Sequence, residues 1–462
     1  MPTSAANTHT LPAPRMGRVA CAAFAGTTIE FYDFFIFGTA TALVFGSVFF
    51  SELGGGRGTL ALAATYAVAF VARPIGAVLF GHIGDRRGRK RTLIYTLVLM
   101  GGSTFAIGLI PSYDAIGIAA PLMLVTLRFV QGLAVGGEWA GAALLTAEYA
   151  PPHRRGRYAM FPQLGPGIAF GLSAVTFLLV FEITGNPTKN DAFQTWGWRI
   201  PFLASAVLVG VGLYVRLRIE ETPVFRAALD AHSPARVPVC DAVTTQWRQI
   251  LLAGGALTAI FGFFYIGSVF ITGYAGRNPK GVPPGILGLS PQTILTIHVA
   301  AAVVFAGVCA LAALNSDRIG RKRVMLIGNA AGIPLGLLVF PTINGHGGVG
   351  LAIGMCLLMA FVAVSYGPAA AYLPEMFDTR HRYTGAGLAY NLAGVLGGAI
   401  PILAAPEILD TWGSRGIGVY LAVLAGFSTM CLLALPETKD RTISPSSAQP
   451  AESPMLVGAP VG

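Results

Sequence analysis

A basic heptapeptide occurs twice in the chain, as Asp85-Arg86-Arg87-Gly88-Arg89-Lys90-Arg91 and as Asp317-Arg318-Ile319-Gly320-Arg321-Lys322-Arg323. Positions 317 and 85 differ by 232, which is close to half of the 462 residues. In both copies a long apolar segment leads into the cluster and another begins directly after it. The pattern therefore predicts a duplicated chain in which each cluster is a tight turn between two membrane helices.

Composition indicates a membrane protein. Hydrophobic residues make up 54% of the chain and charged residues 11%, whereas a typical soluble domain has about 25% charged residues. A helix needs about 20 mostly apolar residues to cross a bilayer. Segments of that kind lie at 19–49, 59–81, 92–111, 119–146, 158–181, 201–219, 249–274, 292–314, 324–343, 348–372, 384–405 and 416–436. We predict an all-α integral membrane protein with twelve transmembrane helices in two six-helix bundles.

The positions of the basic residues predict the orientation. Of the 31 Lys and Arg residues, 23 lie in one set of alternate loops together with both termini, and 6 lie in the opposite loops. The remaining two, Arg73 and Arg128, fall inside apolar segments. Because cytoplasmic loops carry the excess of Lys and Arg, we expect a multi-pass protein of the cytoplasmic membrane with both termini in the cytoplasm. The net charge of +10 is thus a sign of topology rather than of nucleic-acid binding.

The same segments divide the chain into five parts. We expect a disordered cytoplasmic tail over 1–18, a first bundle over 19–219, a cytoplasmic linker over 220–248, a second bundle over 249–436 and a second tail over 437–462. A parallel repeat of this kind lets one half rock against the other around a central site. The five cysteines have no metal-like spacing, so neither a metal site nor a disulfide framework is predicted.

The first basic turn continues a longer motif, Gly81-His82-Ile83-Gly84-Asp85-Arg86-Arg87-Gly88-Arg89-Lys90-Arg91. It resembles the loop signature of the major facilitator superfamily of transporters, and the resemblance covers nearly the whole chain. Glycines allow close approach of the helices, and Asp85 can accept hydrogen bonds at a neighbouring helix N-terminus. A turn that only sets topology is the alternative. The resemblance implies a cytoplasmic gate formed by Gly81, Asp85, Arg86, Gly88 and Arg89, by Asp317, Gly320 and Arg321, and by Glu148 and Glu375 as clasps.

Further strings narrow the resemblance. They are Gly26-Thr27-Thr28-Ile29-Glu30-Phe31-Tyr32-Asp33-Phe34, Ala72-Arg73-Pro74, Arg128-Phe129-Val130-Gln131-Gly132, Gly136-Gly137-Glu138-Trp139, Trp196-Gly197-Trp198-Arg199-Ile200-Pro201-Phe202 and Pro436-Glu437-Thr438. Taken in order, they look like the metabolite:proton symporter family. That resemblance implies a monomeric carrier, driven by the proton gradient without a cofactor, which imports a small carboxylate or a zwitterion with protons.

Two alternatives to a symporter remain, and only the second is not a transporter. Gly165-Pro166-Gly167 faintly resembles the signature of drug antiporters, so a proton-antiport exporter is the first alternative. A polytopic sensor or a membrane enzyme is the second. The tails and the linker leave no room for a signalling domain, and no His, Cys or Ser arrangement suggests catalysis. We therefore predict that the protein is not an enzyme.

Charges inside the membrane are the first candidates for function, because each costs about 2.5 to 3.5 kcal/mol on insertion. At 1.5 Å per residue, Glu30 and Arg73 each lie about 18 Å from a cytoplasmic helix end, so they can pair in mid-membrane. Asp33 and Arg128 match each other at a slightly greater depth. We predict that Asp33 carries the proton, with Glu30 as second candidate, and that Arg128 is its switchable partner. A fixed structural ion pair is the alternative.

The expected substrate site uses the remaining polar groups. Arg73 offers a bidentate fork for a carboxylate. Glu138 either braces Arg73 or binds protons, and Arg199 either helps at the entrance or anchors the membrane surface. Polar wall residues are predicted on four helices: Gln131, Tyr265, Tyr366 and Asn391. All five mid-membrane charges lie in the first half, so proton coupling is predicted to belong to the first bundle.

Overall fold

The computed structural model describes residues 16–52, 55–87, 89–185, 192–217, 238–277, 287–377, 382–439 and 441. Within these residues, eleven helices are long and apolar enough to cross a membrane. In chain order they are α1 Met16–Phe49, α2 Leu60–Ile83, α3 Lys90–Leu109, α4 Ala119–Tyr149, α5 Arg155–Thr184, α6 Phe193–Leu217, α7 Val243–Ala275, α8 Pro291–Ile319, α9 Arg321–Gly345, α10 Gly347–Met376, and Arg382–Leu433. The chain is therefore a multi-pass membrane protein.

The last of these helices contains two spans. It is 52 residues long, far more than one crossing needs. At Gly413 the backbone leaves the helical region, with φ +69° and ψ −173°, a conformation that glycine adopts without the steric penalty of a Cβ. We call the arm before the bend α11 (382–412) and the arm after it α12 (414–433). The twelve segments expected from the sequence are thus accounted for.

Packing groups the helices into two bundles. In the first, α1 packs on α5, α2 on α4, and α3 on α4 and α6. In the second, α7 packs on α11 and α12, α8 on α10, and α9 on α10 and α12. The two bundles meet mainly where α5 packs on α8 and where α2 packs on α11. We call the end that carries the turns between α2 and α3 and between α8 and α9 the basic end, and the opposite end the far end.

Glycines set the closest contact of the first bundle. A side chain at Gly132 or Gly136 on α4 would strike the backbone carbonyls of Ala69 and Arg73 on α2. This close approach holds α4 and its charged residues against α2. Just beyond it the helix is interrupted by a turn at residues 136–137, and α10 is interrupted in the same way at 367–368, which is 231 residues later.

The linker region is only partly described. Residues 218–237 lie outside the described residues. The helix that contains α7 already begins at Pro238, and its backbone departs from helical geometry at Gln246. Residues 238–245 and 247–248 of the predicted linker are therefore helical, on either side of that kink. At the other end of the chain, Glu437 and Thr438 pack against the basic end rather than trailing away from it.

Candidate functional site

The five charges expected in mid-membrane are all buried in the first bundle. Glu30 and Asp33 lie on α1, Arg73 on α2, and Arg128 and Glu138 on α4, and each is at most 3% exposed. Ionised groups held this far from water need partners. In the structure, these five side chains are not simply paired with one another.

Asp33 and Arg128 are joined through two polar side chains. The Thr104 hydroxyl on α3 donates to Asp33 Oδ2 at 2.8 Å, and Gln131 Nε2 donates to that hydroxyl at 2.8 Å. Arg128 donates in turn to Gln131 Oε1 at 2.5 Å. We call this series Asp33, Thr104, Gln131, Arg128 the relay. It connects α1, α3 and α4, and Thr104 was not among the residues singled out from the sequence.

Aromatic rings surround the remaining faces of both arginines. The Arg128 guanidinium lies 3.8 Å from the ring centroid of Phe37 and about 5 Å from those of Phe34 and Tyr66. Arg73 lies 4.5 Å from the ring centroid of Phe70, and its Nε has no hydrogen-bond partner. Cation–π contact favours a cation where no anion is adjacent. Both arginines are thus held as buried cations that keep unused donors.

Glu138 has a partner that sequence reasoning missed. Its carboxylate forms an ion pair with Arg216 at the end of α6, and Arg216 also donates to the Leu93 carbonyl. The expectation that Glu138 braces Arg73 is therefore wrong. Arg216 lies within the predicted segment 201–219 but was not among the charges singled out from the sequence, and its position in an apolar run is the signal that identifies it as a buried cation.

Glu30 is the least satisfied acid of the group. Among the described residues no ion pair within 4.0 Å joins it to Arg73. Its Oε2 is buried without a hydrogen-bond partner. The predicted pairing of Glu30 with Arg73 is absent because Arg73 points between the rings of Phe34 and Phe70 instead.

A small cavity lies where the two bundles meet. It has about 20 Å³ of space open to the centre of a water molecule, enough for one or two waters but not for a metabolite. Its wall consists of Phe31, Pro166, Ile260, Phe261, Phe264, Tyr265, Phe305, Val362, Tyr366 and Tyr390. The predicted wall residues Tyr265 and Tyr366 lie here, whereas Gln131 belongs to the relay.

Arg73 lies next to the cavity but is not part of its wall. Phe34 and Phe70 each contact the ring of Tyr265, at centroid distances of 5.0 and 4.8 Å. The Arg73 guanidinium lies against the same two rings and interacts with Tyr265, which is a wall residue. In this conformation the predicted carboxylate-binding arginine is therefore adjacent to the cavity without lining it.

Polar and stacked contacts join the bundles beside the cavity. Trp139 of α4 stacks on Tyr390 of α11 with 3.8 Å between ring centroids and 5° between planes. The Tyr390 hydroxyl lies 3.1 Å from that of Tyr366. Trp139 Nε1 donates to Gln163 on α5, and Gln163 donates to the Tyr366 carbonyl at 2.6 Å. Of these four residues, only Tyr366 was predicted to line the substrate site, because stacking across helices leaves no spacing signal.

Two further predicted residues make backbone contacts. Asn391 of α11 donates to the carbonyl of Gly136 at 2.9 Å, at the interruption of α4. Arg199 donates to the carbonyls of Gly108 and Ile110 at the end of α3, and it lies 4.5 Å from the ring of Trp198. Asn391 thus joins the two bundles, while Arg199 anchors the far end of the first bundle and does not face the cavity.

The far end is closed by an apolar contact that contains one imidazole. His298 on α8 is buried, and its ring lies 4.6 Å from that of Phe170 on α5. Its Nε2 is 3.3 Å from the hydroxyl of Thr272 on α7. This contact joins the two bundles above the cavity.

The basic end is closed by acids of the second bundle, in an arrangement we call the clasp. Asp317 accepts hydrogen bonds from the backbone N–H groups of Gly156 and Arg157, at 2.8 and 2.9 Å, at the N-terminus of α5. Arg321 forms ion pairs with Asp317 at 2.9 Å and with Glu375 at 3.4 Å. Asp317 therefore binds the start of α5 directly, and Arg321 links Asp317 to Glu375.

Glu375 also reaches the first bundle. It lies 3.7 Å from the guanidinium of Arg155 and accepts a hydrogen bond from the Thr438 hydroxyl at 2.7 Å. Gly320 takes a φ of +114° at the α8–α9 turn, and a side chain there would strike Glu437. The second basic turn is thus the centre of the contact that closes this end.

Glu437 caps the start of α9. Burial by itself would raise the pKa of the Glu437 carboxyl, but hydrogen bonds donated by the backbone N–H groups of Lys439, Lys322, Thr438 and Arg321 hold that pKa below its usual value. A carboxylate is favoured at a helix N-terminus. The Pro436-Glu437-Thr438 string therefore fastens the end of the second bundle to the clasp.

The first copy of the motif is described only in part. Gly81 is buried and faces the ring of Tyr383 on α11. Gly88 and the side chains of Asp85, Arg86 and Arg89 lie outside the described residues. Glu148 is half-buried near the end of α4. The predicted roles of these residues in the gate stay predictions.

Known protein families and proteins match this chain over most of its length. The family described as "Sugar (and other) transporter" matches residues 19–249 and 285–447. The chain is 40% identical to the inner membrane metabolite transport protein YhjE of Escherichia coli, over 94% of this chain and 97% of that protein. It is 35% identical to the shikimate transporter of Escherichia coli, over 92% of this chain and 95% of that protein.

Solved structures give the fold. The structure of the major facilitator superfamily proton:xylose symporter XylE bound to 6-bromo-6-deoxy-D-glucose has a TM-score of 0.70 to this chain, with 20% identity. The match covers 93% of this chain and 97% of XylE. The twelve-helix arrangement is thus that of a major facilitator transporter.

Proposed function

The chain belongs to the sugar (and other) transporter family of the major facilitator superfamily, and on that premise we propose that it imports a small organic acid or a zwitterion together with protons. Its relatives are membrane transporters and not enzymes. The observation that carries the proton part of the proposal is Asp33: a fully buried carboxyl on α1 facing α3 of the first bundle, which receives a single hydrogen-bond donor and keeps its Oδ1 unpaired.

Cavity chemistry favours an acid over a sugar. Seven of its ten wall residues are aromatic, and the polar groups they offer are the hydroxyls of Tyr265, Tyr366 and Tyr390. A sugar would bring several hydroxyls into this wall and leave most of them unpaired, at about 1 to 3 kcal/mol each. A carboxylate on a compact body needs fewer partners, and Arg73, which has an unused Nε–H donor, lies next to the wall residue Tyr265.

Because both ends of the cavity are closed in this conformation, transport requires the two ends to open in turn. We place the basic end and both termini in the cytoplasm, because that end carries most of the Lys and Arg residues. Both ends are joined by inter-bundle contacts in this conformation, so a substrate enters only after one set separates. Opening at either end moves the bundles apart at the layer of Phe34, Phe70 and Tyr265. That movement gives a substrate carboxylate access to Arg73.

The test is uptake into proteoliposomes under an inward proton gradient. Radiolabelled shikimate, α-ketoglutarate, citrate, proline and betaine are each offered, with D-xylose as the sugar comparison. We expect accumulation of one or more acids or zwitterions, no uptake of D-xylose, and loss of accumulation when the gradient is collapsed with a protonophore. Uptake of D-xylose with none of the five others transported would overturn the substrate class.

A matched pair of variants isolates the proton step. Asp33→Asn removes the protonatable oxygen with little change in shape, and Glu30→Gln does the same one turn earlier on α1. We expect Asp33→Asn to retain exchange of labelled for unlabelled substrate but to lose accumulation against a gradient. If Asp33→Asn still accumulates substrate under an acid exterior while Glu30→Gln does not, Glu30 carries the proton instead.

A further inference from the structure

Donor and acceptor chemistry fixes the direction of the relay. An arginine side chain has only donors, so Gln131 must present its Oε1 to Arg128. Its Nε2 is then the atom that faces Thr104, where it donates to the hydroxyl oxygen at 2.8 Å. The Thr104 oxygen therefore always accepts one hydrogen bond, and it keeps one proton to donate and one lone pair to use.

The Thr104 proton has two possible acceptors. Asp33 Oδ2 lies 2.8 Å away and the Met100 carbonyl oxygen lies 3.1 Å away. An ionised Asp33 can only accept, so the Thr104 proton must point to it. A protonated Asp33 can instead donate to the free lone pair of Thr104, whose own proton then turns to Met100. All three groups remain hydrogen-bonded in both states.

We propose that Thr104 is a hydroxyl switch which, with Gln131 as a spacer, lets Asp33 gain and lose a proton inside the closed first bundle. This inference rests on the proposed role of Asp33 as proton carrier. On loading, a hydronium ion gives up a proton, which forms an O–H bond at Asp33 Oδ2, and a water molecule is left. On release that bond breaks and the proton passes to a water molecule, while the Thr104 O–H only rotates. The switch needs no separation of α1, α3 and α4, since each partner is in place before and after.

The spacer has a second effect. An arginine in direct contact with a carboxylate favours the ionised form. With Gln131 and Thr104 between them, Arg128 is held by Gln131 and by the ring of Phe37 and does not touch Asp33. Asp33 is thereby kept near the cationic Arg128, which attracts its carboxylate. Because the two do not touch, Asp33 is not locked in its ionised form.

The charged groups that act on Asp33 have partners of their own, whereas Glu30, one turn earlier on α1, has a buried oxygen without one. The charges that act on Asp33 are those of Arg128 and Glu138, both on α4. Glu138 is paired with Arg216 of α6. Beside Asp33 on α1 is Tyr32, whose hydroxyl donates to Thr176 of α5. Thr104 is consequently the neighbour whose hydrogen bond changes when Asp33 takes up a proton.

The test follows the proton directly and needs no substrate. The full chain is reconstituted in lipid nanodiscs, and the C=O stretch of protonated carboxyl groups is followed by infrared difference spectroscopy across the pH range in which the protein stays folded. Asp33→Asn identifies the band of Asp33. Thr104→Val removes the donor to ionised Asp33, so we expect its band to persist about one pH unit higher. Thr104→Ser restores the hydroxyl and should leave the midpoint unchanged.

A variant of the spacer moves the midpoint in the opposite direction. Gln131→Met has a similar length and no hydrogen-bonding atom, so Arg128 is released towards Asp33. We expect the Asp33 band to disappear about one pH unit lower. Opposite shifts are a result that a purely structural role of the two residues does not produce, because loss of packing would move both midpoints alike or neither.

The outcomes separate the switch from the proton role itself. Midpoints that are the same in all variants, or that move in the same direction for Thr104→Val and Gln131→Met, overturn the switch and leave Asp33 as the proton carrier. Failure of Asp33→Asn to remove any titrating band overturns the carrier role and the switch with it. If Thr104→Val does not fold, the sign of the Gln131→Met shift decides: a shift upwards or no shift refutes the spacer.

Discussion

The two bundles arose by duplication, yet they differ in what they bury. The first holds five charged side chains in mid-membrane, each at most 3% exposed. The offset of 232 residues leads from Asp33, Arg73 and Glu138 to Tyr265, Phe305 and Ala370. Two of these are aromatic wall residues of the cavity, and the third is fully buried. One copy therefore holds the mid-membrane charges, and the other supplies an apolar wall.

The physical reason is the cost of each buried charge, about 2.5 to 3.5 kcal/mol on insertion. Keeping charges in one copy confines this cost to a bundle that also supplies partners, such as Arg216 and Gln131. At the basic end the acidic side chains come from the other bundle. There the second bundle supplies the acids, Asp317 and Glu375, and the first supplies the helix start that they bind.

The largest expected effect comes from breaking a charge pair of the first bundle. Arg216→Met leaves Glu138 buried without its partner, which should lower the free energy of unfolding by about 3 to 5 kcal/mol. Thermal unfolding in detergent measures the loss. The double variant Arg216→Met with Glu138→Gln should recover most of it, because no buried charge is left uncompensated. A double variant no more stable than Arg216→Met would show that Arg216 acts through its contact with the Leu93 carbonyl instead.

The next effect comes from adding a charge to the second bundle. Ala370 is fully buried and occupies the place that corresponds to Glu138. Ala370→Glu introduces a carboxylate at a fully buried position, at a cost of about 2.5 to 3.5 kcal/mol. Ala370→Gln has nearly the same volume and serves as control, so the difference in unfolding temperature between the two isolates the charge. Equal stabilities would mean that the second bundle tolerates charge as well as the first.

The clasp is the third test, and it concerns conformation rather than folding. Asp317→Asn replaces one acceptor of the α5 backbone N–H groups by a donor and removes the charge that pairs with Arg321. We expect the basic end to open more often. Cys309 is fully buried between α8 and α5, so its alkylation by a maleimide, in a variant without the other cysteines, should become about tenfold faster.

A control for that measurement is Asp410→Asn, which changes an exposed acid on α11 outside the clasp. It should leave the alkylation rate of Cys309 unchanged. An equal increase in both variants would indicate general loosening and not release of the clasp.

The smallest effect is a pH dependence at the second basic turn. The pKa of Glu437 is held below its usual value in the folded protein, so its stabilisation is present above the ordinary carboxyl pKa of about 4.3 and is lost as the pH falls through the lowered value. Glu437→Gln should therefore unfold at a lower temperature than the native chain at neutral pH, and the difference should vanish in acid. Glu407→Gln, at an exposed acid, should show no such difference at any pH.

Much of the fold could be predicted from the sequence, because its signals are local in the chain. The repeated basic turn, the apolar segments and the distribution of Lys and Arg all depend on residues close to one another in sequence. The bend at Gly413 shows the limit: the two segments on either side were expected, but not that a single residue of positive φ separates the two helices. The helix that begins at Pro238, inside the expected linker, was likewise not predicted.

The site was predictable only in part. Unusual residue types in apolar segments pointed to Glu30, Asp33, Arg73, Arg128 and Glu138 as buried charges. Their depths along single helices did not reveal which of them meet. Thr104 and Tyr390 carry no signal at all in the sequence, since a threonine or a tyrosine in a membrane helix is ordinary.

By itself, the sequence determined that this is a duplicated, multi-pass membrane transporter and which charges lie inside the membrane, because hydrophobicity and charge act residue by residue. Only the tertiary structure decided the partners. Glu138 meets Arg216, Asp33 reaches Arg128 through Thr104 and Gln131, and Asp317 binds the start of α5. Hydrogen bonds and ion pairs extend only about 3 to 4 Å, so they depend on helix rotation and crossing, which are set by the packing of the whole molecule.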